Sequence, residues 1–270
     1  MSAKESGGNP HVTPHVTPHD SPHDAPREID YPSYLALESL LGLQRPRSSP
    51  EHPDELLFII VHQSSELWFK VILHEFDALI ARLGAADAPG SLQAIKRING
   101  LVGIVTHQLS ALDTLPPQRF AQFRGYLGSS SGSQSVQFRA IEAVSGLRDP
   151  HFLQALAEHG PIPPLVQRAL ARPTLQDLFG QLLAKHGVTI EQIYTSDQHV
   201  TLLLLAEELL EYEQGFARWR FLHVQLVERI IGPGTHGTGG TLGAKYLAKT
   251  VSQRFFPDLW AVRAKFYGGP

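Results

Sequence analysis

The segment from residue 54 to residue 83 constrains the fold most, because it is long and apolar on nearly every side. It reads DELLFIIVHQSSELWFKVILHEFDALIARL. Pro53 and the acidic residues Asp54 and Glu55 stand at its start, where helices favour proline and negative charge. A helix with apolar residues all round is buried. The segment therefore predicts a helix in the interior of a helical bundle.

Helical patterns also fill most of the remaining chain. Gly- and Pro-rich stretches separate them, and no convincing run alternates in the manner of a β-strand. The last long pattern starts near Thr189 or Gln198 and ends at Ile231. We therefore predict one all-α domain, a helical bundle over residues 30–270, with a Gly-rich loop at 232–240 and a C-terminal helical segment. The shorter predicted helices cover residues 91–112, 115–127, 134–147, 150–159, 163–171 and 174–186.

The N-terminal region repeats a four-residue unit in which proline returns at every fourth position. Residues 10–26 read PHVTPHVTPHDSPHDAP. Proline at this spacing can neither continue a helix nor supply a strand ladder. We expect residues 1–29 to form a disordered His/Pro-rich tail. The histidines of the repeat offer loose metal binding, and a solvated extension without a ligand is the alternative.

The composition excludes several classes of protein. The chain has no cysteine, which removes disulfides, iron–sulfur clusters, thiolate-bound zinc or haem, and covalent c-type haem. Any metal must therefore be held by histidine or carboxylate. A net charge of −3 over 270 residues gives no basic surface for nucleic acid or an anionic membrane. No uninterrupted apolar run reaches about 18 residues and no signal peptide is evident, so we expect a cytoplasmic protein.

Two histidines lie on faces that the pattern predicts to be buried. His62 is in the middle of the long apolar helix, with Phe58 one turn before it and Glu66 one turn after it. His223 lies on the apolar stripe of the last long helix. A lone buried histidine is usually an ordinary core residue. Two of them on facing helices would also suit a flat cofactor, with one axial and one distal residue. The pattern leaves both interpretations open.

Other metal and phosphate sites fit the sequence less well. No Glu-x-x-His pair of a di-iron bundle occurs, and His74-Glu75 has no second histidine at zincin spacing. The stretch Gly237-Thr238-Gly239-Gly240 lacks the lysine of a P-loop and follows a helix. It is typical of a mobile lid over a ligand, and a helix C-cap and turn is an equal alternative.

Arg124 is a candidate clamp for a substrate carboxylate. Its planar guanidinium matches two carboxylate oxygens at once. A surface ion pair is the ordinary alternative. Tyr31 and Tyr34, three positions apart where the folded part begins, are by themselves ordinary packing residues.

Five blocks of this sequence, in order and spacing, resemble the tryptophan 2,3-dioxygenase family. The likeness runs from about Tyr31 to the C-terminus. Any one block would be weak, whereas five together are specific. The blocks are Tyr31-Pro-Ser-Tyr34-Leu35, residues 54–70, Phe123-Arg124 to Ser131-Gly132 with Gln134-Ser135, His223 to Gly232, and Gly237-Thr238-Gly239-Gly240.

The resemblance implies an all-helical protein with one haem b per subunit. It also implies a homotetramer in which N-terminal residues of one subunit help to build the active site of its neighbour. The implied substrates are L-tryptophan and O₂. Both oxygen atoms would enter across the indole C2–C3 bond to give N-formylkynurenine, the first step of tryptophan catabolism through kynurenine.

The resemblance also assigns roles to residues at matching positions. His223 is expected to bind the haem iron, and His62 to be the distal catalytic base that accepts a hydrogen bond from the indole N–H. Arg124 would hold the substrate carboxylate, and Thr238 would meet the ammonium or carboxylate end. The other expected contacts are Phe58, Ile59, Ile60, Val61, Phe120 and Leu127 around the indole, Ser131 and Gly132 near the haem edge, and Tyr31, Tyr34 and Leu35 from the neighbouring subunit.

The lid region departs from the family pattern. Thr241-Leu242-Gly243 stands where the family has two serines before the glycine, and the preceding loop is about one residue longer, with an extra His236. Neither change touches the expected iron ligand or clamp. Two alternatives therefore stay open: a haem monooxygenase of a substituted indole or another aromatic, and a haem-binding sensor or carrier. Arg124 together with a lid favours the dioxygenase.

Overall fold

The computed structural model describes residues 29–148, 153–154, 157, 160–235, 248 and 250–268. This part of the chain is largely helical and contains no β-strand, which confirms the all-α prediction. Short 3₁₀ turns cover Leu109–Thr114, Gly125–Leu127, Gly132–Gln134 and Asp197–His199. The α-helices are α1 (Tyr31–Tyr34), α2 (Leu37–Leu41), α3 (Glu55–Gly84), α4 (Ala88–Gln108), α5 (Pro117–Arg124), α6 (Val136–Ser145), α7 (Pro164–Ala171), α8 (Leu175–Lys185), α9 (Ile190–Thr195), α10 (Val200–Ile231) and α11 (Pro257–Lys265).

The chain divides into an N-terminal unit that ends at Leu43 and a main unit that begins at Gln44. Within the first unit, Asp30 caps α1 by accepting a hydrogen bond from the Ser33 backbone N–H at 2.9 Å. Residues 1–28 lie outside the described part. The disorder of the tail and the domain boundary at residue 30 therefore stay predictions.

Helix α3 is the long apolar helix that the sequence predicts. It begins where buried Glu55 accepts hydrogen bonds from the backbone N–H groups of Arg47 and Ser48, at 2.7 and 2.9 Å. Its second half enters the main hydrophobic core along one face, because its buried residues return at helical spacing. These residues are Phe69, Ile72, Phe76, Leu79 and Leu83.

The other side of α3 is not buried, which corrects the expectation of burial all round. Leu56, Ile60, Leu67 and Val71 form one exposed stripe, with exposures between 38% and 50%. The most apolar 18-residue window of α3 has a mean hydropathy of 1.4 and by length and composition could cross a membrane. Counting only uninterrupted apolar runs misses this window, because a few polar residues interrupt it. Such a helix also occurs in bundle cores, and the second half of α3 packs in one here.

Helices α4 and α10 complete the frame around α3. Helix α4 packs against both α3 and α10, and α6 and α8 pack on α3. Residues from Leu202 to Phe216 on α10 belong to the main core, whereas Leu226 and Ile230 belong to a second cluster. One continuous helix thus connects the core of the bundle with the region around His223.

The predicted final helix from Thr189 or Gln198 divides into two. Thr189 caps α9, and the Ser196 hydroxyl accepts a hydrogen bond from the Gln198 backbone N–H at the 3₁₀ turn before α10. Serine and threonine compete for backbone hydrogen bonds in this way and so interrupt helices. The predicted 150–159 helix lies mostly outside the described residues, as does the Gly-rich loop from residue 236.

Candidate active site

A second hydrophobic cluster, distinct from the main core, joins the start of α3, helix α5 and the end of α10. It unites side chains from distant parts of the sequence, including four that the resemblance places around an indole: Phe58, Val61, Phe120 and Leu127. The Phe58 and Phe120 rings lie 5.5 Å apart. The fully buried members are Val61, Leu109, Leu112, Leu115, Phe120, Phe123, Leu226 and Ile230, with Phe58, Leu127 and Trp219 partly buried at the margin.

His62 presents one defined nitrogen to this region. Its Nδ1 lies 2.7 Å from the backbone carbonyl oxygen of Phe58. A carbonyl oxygen can only accept, so Nδ1 carries the proton and donates, and Nε2 is left as an acceptor. The His62 side chain keeps accessible surface, but burial lowers its pKa more than the Phe58 hydrogen bond and the charge of Glu66 raise it. The side chain is therefore a neutral imidazole beside the Phe58 ring, whose centroid lies 4.2 Å from that of His62.

His223 is also a neutral imidazole in a protected position. Burial, and secondarily the charge of His62, lower the pKa of His223 to about 4. Trp219, one turn earlier on α10, stacks on it with ring centroids 5.3 Å apart. His223 Nδ1 and Trp219 Nε1 are both buried without a hydrogen-bond partner among the described residues. Buried polar atoms normally have partners, so two adjacent orphans indicate that a ligand belongs here.

The two histidines belong to one site, although α3 and α10 are far apart in sequence. The His62 ring lies 4.2 Å from the Phe58 ring, and the His223 ring lies 5.3 Å from the Trp219 ring. Phe58 and Trp219 both pack against the second cluster, so the two histidines border the same group of side chains. Among the described residues, no three His, Asp or Glu side chains form a metal-binding group. A porphyrin supplies four ligands itself, so one neutral histidine suits it.

Arg124, at the end of α5, lines a cavity of about 510 Å³ beside the second cluster. Phe120 from the same helix also lines this cavity, and Arg229, Ile230 and Gly232 line it from the end of α10. This volume is in the range of small-molecule sites. The cavity therefore combines an aromatic wall with guanidinium groups, which suits an aromatic molecule that carries a carboxylate.

A larger cavity, of about 630 Å³, lies between α4 and α10. It is lined by residues such as Asn99, Thr106, Asp113 and Arg218, and by neither His62 nor His223. Size alone would favour it as the active site. Neither cavity is lined by the two histidines, and both border the second cluster, the larger one through Leu109 and Leu226. We favour the cavity at Arg124, because it combines the Phe120 ring with two guanidinium groups that can bind a carboxylate.

Polar contacts hold α5 against the start of α3. The Arg119 guanidinium pairs with Asp54, and the His52 ring forms a hydrogen bond with Gln122 at 2.8 Å. The His52 ring also lies 5.1 Å from the Phe123 ring. These contacts fix Phe120 and Arg124 relative to His62.

The remaining predicted site residues lie in different places. Ile59 is partly buried, and Ile60 is 45% exposed on the outer stripe of α3, about 200° around the helix from His62. Ser131 caps the 3₁₀ turn that begins at Gly132. In the N-terminal unit, Tyr31, Tyr34 and Leu35 are exposed. Thr238 lies outside the described residues.

The sequence patterns give no site role to Trp219, Phe123 or His52. Trp219 is on the predicted stripe of His223, four positions earlier, so helical spacing could have identified it as a neighbour. No local signal places His52 and Phe123 next to each other, because their contact depends on the packing of α5 on α3.

A family model described as tryptophan 2,3-dioxygenase matches residues 17–157 and 179–266. These ranges cover most of the chain and include every predicted site residue. The chain belongs to the tryptophan 2,3-dioxygenase family.

The chain matches curated relatives of this name over nearly their full length. The protein from Herpetosiphon aurantiacus is 43% identical, over 87% of this chain and 98% of its own. The protein from Kineococcus radiotolerans is 39% identical, over 88% and 92%, and that from Caulobacter vibrioides is 37% identical, over 88% and 99%. All three are called tryptophan 2,3-dioxygenase, an oxidoreductase name.

The tryptophan 2,3-dioxygenase family is haem-dependent, and the residues described above fit this group. A buried porphyrin needs a neutral imidazole to bind its iron and apolar walls around its ring. His223 and the second cluster provide these, and the buried nitrogens of His223 and Trp219 lack partners among the described residues. The absence of cysteine leaves histidine as the natural axial ligand.

Proposed function

We propose that this chain is a haem-dependent enzyme that adds both atoms of O₂ across the indole C2–C3 bond of L-tryptophan. The C2–C3 bond breaks, each carbon gains one oxygen as a carbonyl, and the product is N-formylkynurenine. O₂ takes up four electrons, which are the two electron pairs of the indole C2–C3 double bond, so no external reductant is needed. The observation that carries the proposal is that His62, with Nε2 as its accepting nitrogen, and His223 both border the second hydrophobic cluster.

His223 would hold the haem b iron as axial ligand, one haem per subunit. Its low pKa keeps the imidazole neutral, as metal binding requires. Trp219 would pack beside it, and Ser131 and Gly132 would lie near the edge of the porphyrin. When bound, the haem supplies the capacity to bind and activate O₂.

His62 would accept a hydrogen bond from the indole N–H through Nε2. This bond both orients the ring and places a base at the nitrogen whose electron density the reaction draws upon. Phe58, Val61, Phe120 and Leu127 would form the walls of the indole pocket, since they meet in the second cluster. Ile59 remains an expected contact from the same turn of α3, whereas Ile60 lies on the exposed outer stripe, away from His62.

Arg124 would bind the substrate carboxylate. Its guanidinium at a half-buried position in the cavity can form two parallel hydrogen bonds to that group. Thr238, in the proposed lid, would bind the ammonium or carboxylate end as the lid excludes water. A monooxygenase of a simple indole has no carboxylate for Arg124 to bind.

We also propose a homotetramer, with Tyr31, Tyr34 and Leu35 reaching the active site of a neighbouring subunit. These side chains are exposed, and so is the Leu56–Ile60–Leu67–Val71 stripe on α3. Exposed apolar side chains of this number favour burial by another copy of the chain. The cytoplasm is the expected location, with no nucleic acid or membrane as partner.

The test is to supply the haem-loaded ferrous protein with L-tryptophan and air and to record the absorbance of N-formylkynurenine. We expect product from the wild type and slower turnover from His62→Ala with haem retained. His74→Ala, an exposed histidine on the same helix, is the matched control and should behave as wild type. Wild-type protein that carries haem but forms no product would overturn the proposed reaction.

A further inference from the structure

Three charged side chains form a buried network between α6 and α10. Glu142 accepts a hydrogen bond from Arg139 Nη1 at 2.6 Å and one from Arg220 Nη2 at 3.0 Å, each on a different carboxylate oxygen. The exposures of the Arg139, Glu142 and Arg220 side chains are 15%, 4% and 4%. We call these residues the Arg139–Glu142–Arg220 network.

One end of the network holds the loop before α6. Arg139 Nε donates to the backbone carbonyl oxygen of Ser133 at 3.2 Å. Ser133 lies in the 3₁₀ turn that Ser131 caps. The conformation of the loop at Ser131 and Gly132 is therefore tied to the Glu142 carboxylate through Arg139.

The other end holds the helix of the axial residue. Arg220 precedes His223 by three positions on α10, so the two side chains are neighbours on successive turns. The Arg220 guanidinium also lies over the Phe255 ring, 5.4 Å from its centroid. With Glu142 on one side and Phe255 on the other, the Arg220 side chain has little freedom to move.

Stability alone does not explain this arrangement. A buried ion pair is no more stabilising, as a rule, than apolar side chains of similar volume, because desolvation offsets the attraction. Its distinctive property is geometric, since directed hydrogen bonds fix two elements in one register. Here the two elements are the loop at residues 131–134 and the turn of α10 that leads to His223.

We propose that Glu142 is a positioning residue for the haem. Through Arg139 and Arg220 it fixes the Ser131–Gln134 turn relative to His223. The distance between the axial imidazole and the loop at the porphyrin edge would thereby stay constant. This inference rests on the proposed function, because it takes His223 as the axial ligand.

The test compares Glu142→Gln with Glu208→Gln in the haem-loaded protein. Glu208 is a partly buried glutamate on the side of α10 that faces α4, where it accepts a hydrogen bond from Asn99 Nδ2 at 2.8 Å and pairs with Lys96. We expect both variants to lower Tm. Only Glu142→Gln should accelerate haem loss, by up to about 10-fold, the lower end of the effect of an outer-shell partner, because Glu142 acts on His223 through Arg220. It alone should also shift the iron–histidine stretching band of the ferrous protein.

The outcomes are separable from those of the proposed function. Equal haem loss rates and unchanged iron–histidine bands in the two variants would overturn the role of Glu142 and leave the haem site intact. A wild-type protein that binds no haem would overturn the cofactor itself. If Glu142→Gln does not fold, Arg220→Lys tests the same link with the charge kept. It should give an intermediate haem loss rate, and a wild-type rate would contradict the proposal.

Discussion

His62 and His223 are both neutral, but only His62 has its tautomer fixed by a hydrogen bond among the described residues. The Phe58 carbonyl fixes the proton of His62 on Nδ1, so only Nε2 can accept from a substrate. His223 has no such partner among the described residues, and Trp219 covers its ring. This difference fits the two proposed roles, with His62 as a hydrogen-bond acceptor on one side of a cofactor and His223 as a ligand on the other.

Replacing His223 should release the haem. We expect His223→Ala to lose the Soret band of the purified protein, because it removes the imidazole whose pKa burial lowers to about 4 and whose Nδ1 is buried without a partner among the described residues. The loss of haem affinity should exceed the roughly 10- to 100-fold effect of removing an outer-shell partner. Haem titration followed by absorbance measures it. His107→Ala, at an exposed histidine on α4, should bind haem as wild type does, and a full Soret band in His223→Ala would contradict the axial assignment.

Replacing Arg124 should weaken substrate binding while haem is retained. We expect Arg124→Ala to raise KM for L-tryptophan by an amount that corresponds to about 2–5 kcal/mol, the usual effect of removing one partner of a buried charge pair. Tryptamine, which lacks the carboxylate, is the matched probe in steady-state kinetics. The variant should lose the preference of the wild type for tryptophan over tryptamine, and an unchanged preference would exclude Arg124 as the clamp.

At the scale of elements, the start of α3 is held by Glu55. Burial alone would raise the pKa of Glu55, but hydrogen bonds from Ser48 and Arg47 outweigh it and lower the pKa below its usual value. A carboxyl group whose pKa is lowered by folding stabilises the protein above the pKa of the unfolded chain. That contribution is lost as pH falls through the lower folded value.

Glu55→Gln should therefore destabilise the protein in a pH-dependent manner. We expect a loss of about 1–3 kcal/mol near neutral pH, because one of the two backbone N–H groups loses its acceptor. The difference from wild type should shrink as pH falls below the usual pKa of a glutamate and through the lower pKa of folded Glu55, because the wild-type carboxylate then also becomes protonated. Thermal unfolding at several pH values measures this. Glu51→Gln, at an exposed acid in the same loop, is the control, and a pH-independent effect of Glu55→Gln would refute the explanation.

The long helices could be predicted from sequence, whereas their ends and contacts could not. Residues 54–83 match α3 closely because their apolar content and acidic start are local properties. The break at Ser196 depends on a side chain that competes with the backbone, which periodicity does not register. Pattern alone could name His62 and His223 as buried candidates, but their proximity and the stacking of Trp219 depend on long-range packing.

At the scale of the whole molecule, one chain leaves much apolar surface uncovered. Tyr31 and Tyr34 are 72% and 77% exposed, and the α3 stripe adds four more apolar side chains. Association of identical chains would bury such surface. This supports the proposal that an active site is complete only in the assembly.

Hybrid assemblies test this proposal. We expect Tyr31→Ala/Tyr34→Ala subunits and His223→Ala subunits each to be nearly inactive alone. Co-expressed, they should recover part of the activity, since an intact N-terminal segment from one subunit would complete the intact haem site of another. Light scattering should give the mass of a tetramer for each. Hybrids without activity, or a monomeric mass, would contradict the shared site.

If the chain is a dioxygenase acting on L-tryptophan, both atoms of one O₂ molecule enter the product. The most direct measurement is turnover of L-tryptophan by the ferrous protein under ¹⁸O₂, followed by mass spectrometry of the product. N-formylkynurenine that carries both labelled oxygen atoms is the predicted result. A product with only one labelled atom, or no oxidised product from protein that carries haem, would contradict it.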